Sequence, residues 1–367
     1  MKFIISRDQI LVPLQQIVSV IEKRQTMPIL SNVLLVVDEQ QLIMTGTDTE
    51  IQIVAKLNVE SIQRTGSITV PARKFLDICR LLPSGAEINF ELQDDKVKVV
   101  SSRSRFSLST LPAEHYPEFN ISEFEYQFLL NAGKFKKALE KTLFCMASQD
   151  VRYYLNGLLL NVSNSKLKLI ASDGHRLSIY EDDIELPTGY EARIILPRKA
   201  VQELSRLLDD AEAELNIQFS GNNIKIYYKD VVFSSKLIDA KYPDFSKVYK
   251  QTFLSPLQIS RLVLKDALTR VAILSNEKFK GVTFDLSEDL LKLSTHNPEH
   301  DEAEEELLIQ YLGPALNISF NSQYLLDAVS NLDTDTAVLT IAANASSCFI
   351  EEPGQALYKF IVMPMRM

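Results

Sequence analysis

Residues 68–119 begin Ile68-Thr69-Val70-Pro71-Ala72-Arg73-Lys74-Phe75 and end Tyr116-Pro117-Glu118-Phe119, and the chain writes this stretch again at 194–245. Ile68, Pro71, Arg80, Leu81 and Leu82 align with Ile194, Pro197, Arg206, Leu207 and Leu208 at a constant offset of 126, and Tyr242-Pro243-Asp244-Phe245 closes the second copy. In the middle the register slips by one: Val97-Lys98-Val99 answers Ile224-Lys225-Ile226. A slip that later repairs itself is a one-residue loop difference between two copies of one fold. Self-similarity at a fixed, domain-sized period outranks any local motif as a guide to architecture.

Working outward, Tyr126 to Asn131 repeats the Met1-to-Ser6 strand and cap. Ser6 with Gln9 three residues later reads as a capping box, followed by Ile10, Leu14, Ile17, Val18 and Ile21 at helical spacing, with Pro13 placed to kink the helix. A third copy restarts at Thr252. There Ser255 is expected as the cap, Pro256 as the first helical residue and Gln258 as the close of a second capping box. Gly281 answers Gly157 and Asn321 answers Pro197, both offset by 124. Helices are also expected over 71–82 and 132–147, and the helix-then-strands unit occurs twice in each copy. The fold class is α+β: three tandem domains, each with two helices and antiparallel sheets, over 1–121, 122–248 and 249–367. The joints at 120–126 and 246–252 are short, which favours domains docked in fixed order.

The 367 residues are 46% hydrophobic and 24% charged, ordinary for a globular chain, and no apolar run approaches a membrane span. Residues 1–6 lack the apolar core of a signal peptide. Cys79, Cys145 and Cys348 are few and far apart, as expected of small buried hydrophobes in a reducing cytoplasm. The net charge of −9 argues against a nucleic-acid partner unless the charges are segregated. They are. The six predicted helical segments carry +9, which leaves −18 for the rest. Solvated helix faces with acids in loops would give the same partition. So would helices sharing one surface and presenting it to phosphates. No helix carries a set of Asn, Gln and Arg suited to reading bases, so such binding would ignore sequence.

Three strand-rich repeats, Ser172-Asp173-Gly174-His175-Arg176-Leu177, Tyr242-Pro243-Asp244-Phe245 and the terminal Val362-Met363-Pro364-Met365-Arg366 together resemble the bacterial replicative sliding clamps, the beta subunits of DNA polymerase III. The resemblance covers essentially the whole chain. It implies a head-to-tail homodimer closing a six-domain ring around duplex DNA, with helices lining the lumen. It implies an interface joining domain one to domain three, with Lys74, Phe106 and Leu108 facing Ile273, Leu274, Glu304 and Glu305. It implies a partner-peptide cleft at Leu155, Ser172, Gly174, His175, Arg176, Leu177, Pro243, Val248, Asn321, Tyr324, Ile361, Val362, Met363, Pro364, Met365 and Arg366. For DNA it points to Arg24, Gln149, Tyr153 and Tyr154, with Arg152 nearby and Arg73 and Lys199 on the basic helices.

The partners so implied are a clamp loader, the catalytic subunit of DNA polymerase III, other polymerases, ligase and mismatch-repair proteins, and no membrane. The expected setting is the cytoplasm, at the nucleoid. Ser172 and Lys247 stand where Thr and Arg are commoner in the family. An apolar chain end such as Met363-Pro364-Met365 is expected to dock, and Met-rich surfaces suit many partners. A final strand completing a core is the plainer alternative.

Enzyme readings find little support. Four histidines (His115, His175, His296, His300) form no helical ligand pair, because Asn297-Pro298 breaks the one i,i+4 spacing. No glycine-rich phosphate loop or Gly-x-Ser-x-Gly elbow occurs. No metal, cofactor or catalytic residue is therefore expected. The alternatives are an adaptor of the same fold that never encircles DNA, or a metal-dependent nuclease.

Overall fold

Each repeat is built twice on one plan, in which a strand ends at a helix cap, a helix follows, and strands return. The computed structural model describes the chain apart from residues 23–26, 60, 120–123, 187–189, 355–356 and 366–367, and apart from the side chains of Lys247 and Tyr249. The first repeat runs β1 (Lys2–Ser6), α1 (Arg7–Val20), β2 (Asn32–Val37), β3 (Gln41–Thr47), β4 (Ile51–Asn58), β5 (Ser61–Arg64), β6 (Gly66–Pro71), α2 (Ala72–Leu81), β7 (Glu87–Gln93), β8 (Lys96–Ser101) and β9 (Ser104–Ser109). The second runs β10 (Tyr126–Asn131), α3 (Ala132–Leu143), β11 (Gly157–Ser163), β12 (Lys166–Ser172), β13 (Arg176–Asp183), β14 (Glu191–Pro197), α4 (Arg198–Leu207), β15 (Glu214–Phe219), β16 (Asn223–Tyr228) and β17 (Val231–Lys236). The third runs β18 (Leu257–Ser260), α5 (Arg261–Ala272), β19 (Gly281–Ser287), β20 (Leu290–His296), β21 (Glu302–Leu308), β22 (Leu316–Asn321), α6 (Ser322–Ser330), β23 (Thr336–Ile341), β24 (Cys348–Glu351) and β25 (Tyr358–Val362).

The strand before each helix pairs with strands that follow the other helix of its repeat: β1 with β7, β6 with β2. This exchange interlocks the two halves. Aromatic rings fill the space beneath, with Phe3, Phe75 and Phe90 in contact in the first repeat and Phe284 against Phe320 in the third. Each large apolar side chain fully buried this way contributes about 1.5–3 kcal/mol. The sequence alignment reappears as register: Asn32 pairs with Pro71, Gly157 with Pro197, and Gly281 with Asn321.

The sheets do not stop at repeat borders. β17 pairs with β4, and β25 pairs with β13, which makes two eight-stranded sheets of four strands from each neighbour. The remaining sheets are β5-β1-β7-β8-β9 and β21-β20-β19-β22, so β9 and β21 end theirs. By contacts the chain therefore divides into two compact units, residues 1–136 with 199–238 and residues 137–198 with 239–367. The middle repeat is divided between them because each eight-stranded sheet, built from two repeats, lies within one unit.

Four expectations need correcting. The third-repeat helix begins at Arg261, not Pro256: Leu257 and Ile259 are buried while Gln258 and Ser260 are exposed, a period of two that pairs with β23. No second capping box forms, whereas the first is present at Ser6 and Gln9. The helix expected over 132–147 ends at Leu143, and Cys145 and Met146 turn out of it through bonds to residues three back. Helix α1 runs unbroken past Pro13. The three cysteines are buried, and burial raises their thiol pKa values, to about 12 for Cys79 and Cys348.

Candidate functional site

Ser172 ends β12 and Arg176 begins β13, so the strands force a tight turn through Asp173-Gly174-His175. Gly174 has φ +90°, a conformation side chains disfavour. The Ser172 hydroxyl accepts from Gly174 N (3.0 Å) and donates to Arg176 O (2.7 Å). The Asp173 carboxylate accepts from His175 N and Arg176 N, each at 3.0 Å, and from Arg176 Nε at 3.0 Å. Arg176 also donates to Asp327 at 2.5 Å and lies over the Tyr324 ring, 4.6 Å from its centroid. His175 stacks on the same ring. With Asp173 committed to the backbone and the guanidinium, Asp173 and His175 do not form an acid–base pair.

Beside this turn lies an apolar floor of Leu177, Ile179, Phe349 and Ile361, all buried, against which Ile170, Phe245, Val248 and Phe253 pack half-exposed. Of the residues expected to form a cleft, Leu155, Ser172, Leu177, Ile361 and Val362 are buried and His175 is exposed. Gly174, Arg176, Pro243, Val248, Asn321, Tyr324, Met363, Pro364 and Met365 are half-buried, and Arg366 lies outside the described residues. Met363 N donates to His175 O (2.9 Å) and Met365 N to Ser319 O (2.8 Å), so the C-terminal segment is docked. Phe245, Phe253 and Phe349 were missed from sequence. Phe245 was legible, since it ends the quoted repeat.

The basic helices bring together more than was expected. In the first unit, Arg73 and Arg80 of α2 and Arg206 of α4 line one cavity of about 380 Å³ with Gln15 and Ser19 of α1. Arg80 and Arg206 are the aligned pair of the repeat, a signal that was available. Lys199 is held by Glu22 (2.7 Å) and Asp48. Burial alone would lower its pKa, but those carboxylates raise it. Arg24 lies outside the described residues. In the second unit, Gln149 (φ +57°), Arg152, Tyr153 and Tyr154 form a turn whose Val151 is 96% and Tyr153 57% exposed. Arg152 holds Asp150 through two bonds (3.0 and 2.8 Å), lowering that carboxyl to about 2, and also donates to Asp173 O (3.1 Å). It therefore ties this turn to the one at Gly174.

Among the expected interface residues, Lys74 is exposed, Phe106 half-buried and Leu108, also in β9, buried. Ile273 is 75% exposed and Leu274 half-buried. Glu304 pairs with Lys292 (2.8 Å) and Glu305 with Arg270. Leu308 and Leu312, 87% and 80% exposed beside them, were missed, although period-two counting from Glu302 places Leu308 outward. Among the described residues no group of three or more His, Cys, Asp or Glu could hold a metal ion, and no helix is long and apolar enough to cross a membrane.

Three family models match in order: the N-terminal domain of the DNA polymerase III beta subunit over residues 1–121, its central domain over 129–244 and its C-terminal domain over 251–366. The chain is 45% identical to the beta sliding clamp of Proteus mirabilis and 42% to that of Escherichia coli K12, each over the full length of both chains. A crystal structure of the DNA polymerase III subunit beta from Pseudomonas aeruginosa superposes with a TM-score of 0.97 at 41% identity, covering both chains completely. Another structure of the Pseudomonas aeruginosa clamp, also at TM-score 0.97 and 41% identity over both chains, is bound to griselimycin. The chain belongs to the DNA polymerase III beta subunit family, the beta sliding clamps, which are non-catalytic processivity factors of the replicative polymerase.

Proposed function

We propose that two copies close head to tail into a ring around duplex DNA, made of domains 1–121, 122–248 and 249–367 from each. The ring slides without reading sequence and tethers partner proteins through the cleft of Ser172, Arg176, Tyr324 and Met363. The observation that carries this reading is the pair of internal joints. Each joins the last strand of one repeat to the third strand after the first helix of the preceding repeat, β17 to β4 and β25 to β13. The same rule applied once more leaves β9 and β21, which end their sheets, as the complementary edges. An identical joint between copies is heterologous, and it closes because the internal joints repeat one step. It also removes two exposed edges.

Register follows from the same correspondence. Thr47, Ser172 and His296 end the equivalent strands β3, β12 and β20, so Gln52, Leu177 and Glu302 are equivalent partners on β4, β13 and β21. Carrying over the β17–β4 register puts Glu304 opposite Arg105 and Glu306 opposite Arg103. Carrying over the β25–β13 register puts Glu302 opposite Arg105 and Glu304 opposite Arg103. Either way an acidic edge meets a basic one, with Lys74, Phe106, Leu108, Ile273, Leu274 and Glu305 alongside.

DNA then passes the basic helices, with Arg73, Lys199, Arg152 and Arg24 as the charged contacts to phosphate and Gln149, Tyr153 and Tyr154 as uncharged contacts beside them, none reading bases. An ATP-driven loader opens the ring. The DNA polymerase III catalytic subunit, other polymerases, ligase and mismatch-repair proteins share the cleft, in the cytoplasm at the nucleoid. The peptide-like ligand griselimycin bound in a relative supports a peptide site of this kind.

The test is retention on nicked circular DNA after loader-assisted assembly, at moderate salt, before and after linearising the circle. Retention that survives salt and collapses on cutting is the expected result, because phosphate contacts weaken steeply with salt and ignore free ends. Equal retention on both forms would refute the ring. Loss from both, with griselimycin still bound, would point to an adaptor.

A further inference from the structure

The third repeat contains a cavity where the first two hold a tyrosine. In the second repeat, the buried Tyr242 hydroxyl sits between Gly157, the first residue of β11, whose carbonyl it donates to (3.4 Å), and Ser172, the last of β12, whose N–H it accepts (3.2 Å). In the first, the Tyr116 hydroxyl contacts the carbonyls of Asn32, the first residue of β2, at 3.3 Å and of Thr45 at 3.1 Å. It also takes a backbone hydrogen bond from Thr47, the last residue of β3. Both tyrosines are delivered by the segments Tyr-Pro-Glu-Phe and Tyr-Pro-Asp-Phe.

The equivalent residues of the third repeat are Gly281, first in β19, and His296, last in β20. Both line a mostly apolar cavity of about 390 Å³, walled also by Phe279, Asn276, Pro298 and Met365. The backbone follows the same course up to this point: Met365 bridges Ser319 as Leu111 bridges Thr69. One local change has a consequence for chemistry. Where the other repeats have Gly46 and Ala171, the third has Thr295, whose buried hydroxyl already donates to Gly281 O at 2.6 Å. An aromatic ring entering here finds one of its hydroxyl's partners already served.

We infer that this cavity is a second peptide-docking site, taking an aromatic side chain followed by proline from a partner protein, with phenylalanine accepted as well as tyrosine. The chain's own two filled sites define the occupant: an aromatic ring on a proline-stiffened segment, which loses little entropy on binding. The cavity is also continuous with the cleft, because Met363-Pro364-Met365 runs from His175 O to the cavity wall. One partner peptide could span both, and avidity would then exceed either contact alone. The cavity rests on the proposed cleft only for that direction of approach.

The experiment titrates the full chain with a fluorescein-labelled peptide of residues 114–119 and, separately, with griselimycin. The variants are His296→Trp, which fills the cavity, Phe279→Ala, which removes a wall, and Tyr324→Ala in the cleft. His296 and Phe279 are exposed, so both variants are expected to fold, and thermal melts check this. Saturable peptide binding that falls at least tenfold in His296→Trp and Phe279→Ala is the expected result. Tyr324→Ala should leave it within threefold, and exchanging the peptide's tyrosine for phenylalanine likewise, whereas alanine there abolishes it. Griselimycin should show the reverse dependence, lost in Tyr324→Ala and kept in the cavity variants. Failure of that arm alone sinks the cleft reading and leaves the cavity standing. Three outcomes overturn the inference: no peptide binding at millimolar concentration, binding indifferent to His296→Trp, or binding only after deletion of residues 366–367. The last would make the chain's own end the occupant.

Discussion

Reversing the charge of the β9 edge tests the proposed closure most directly. Arg103 and Arg105 are exposed, so Arg103→Glu with Arg105→Glu should leave the protomer folded and change only what meets it. Each internal joint is a ladder of five residue pairs, and in either register the two arginines stand opposite two glutamates of β21. An exposed cross-strand ion pair is worth about 0.2–1 kcal/mol, and a like pair costs a similar amount. Turning two attractions into two repulsions therefore costs about 2 kcal/mol per joint. A ring of two copies has two joints, so dimerisation weakens by about 4 kcal/mol, roughly a thousandfold in Kd. Sedimentation equilibrium at low salt reads this, and raising ionic strength should shrink the difference as screening sets in. The compensating variants carry more information. Glu304→Arg with Glu306→Arg restores the dimer if closure follows the β17–β4 register, and Glu302→Arg with Glu304→Arg restores it under the β25–β13 register. An unchanged Kd, or failure of both rescues in a folded protomer, would refute the joint-by-repetition reasoning.

Lys141 is 9% exposed, donates to Asn331 O and Asp333 and lies 4.4 Å from the Tyr358 ring centroid; Lys141→Met should cost about 2–4 kcal/mol of stability, read as a shift of the urea midpoint. Gly174→Ala forces a side chain into φ +90° with its Cβ 2.8 Å from the Arg152 guanidinium, so about 1–2 kcal/mol is lost, read as a shift of the urea midpoint. Stability should be level near neutrality and fall in acid. Arg152 holds Asp150 at about 2, and Lys141 and Lys137 hold Asp333 below the usual carboxylate range although burial alone would raise it. A carboxylate depressed on folding stabilises above its unfolded value of about 4, and that contribution disappears as pH falls through the folded value. The raised Lys199 acts oppositely: its contribution is present below about 10 and is lost as pH rises. Urea midpoints at pH 7, 4 and 2.5 check the acid arm, and no loss by pH 2.5 would contradict it.

Much of the fold was legible because it is repeated. Gly157 with Pro197 and Gly281 with Asn321 align in the sequence at one offset, and the ladders pair the same residues. Where repetition was weakest, reading failed. Ser255-Pro256 offers every local signal of a helix start, yet burial of Leu257 and Ile259 against β23 outweighs it, since a cap is worth about 1 kcal/mol and two buried apolar side chains more. The candidate site was legible where backbone chemistry marks it, at Gly174 and at the Met363-to-Met365 end. Its floor was not, because Phe349 and Phe253 look like any core phenylalanine until the sheets bring them to Leu177.

Three sequence repeats and two contact units are compatible because the stabilising element and the repeating element differ. A repeat is the unit of copying: two interlocked halves that exchange first strands. A sheet of eight strands is the unit of packing, and it takes four strands from each of two neighbours. Lysines reinforce such sheets on the helix side, Lys199 reaching Glu22 and Asp48 along one and Lys141 reaching Asp333 along the other. These are residues that composition would have assigned to phosphate binding. Part of the helical basic charge is thus consumed in holding repeats together. Arg73, Arg80 and Arg206 instead line one cavity, where Asp77 also lies, and among the described residues make no polar contact across a joint. Neutralising those three should flatten the salt dependence of DNA binding without loosening the joints, whereas neutralising Lys199 or Lys141 should loosen the joints first.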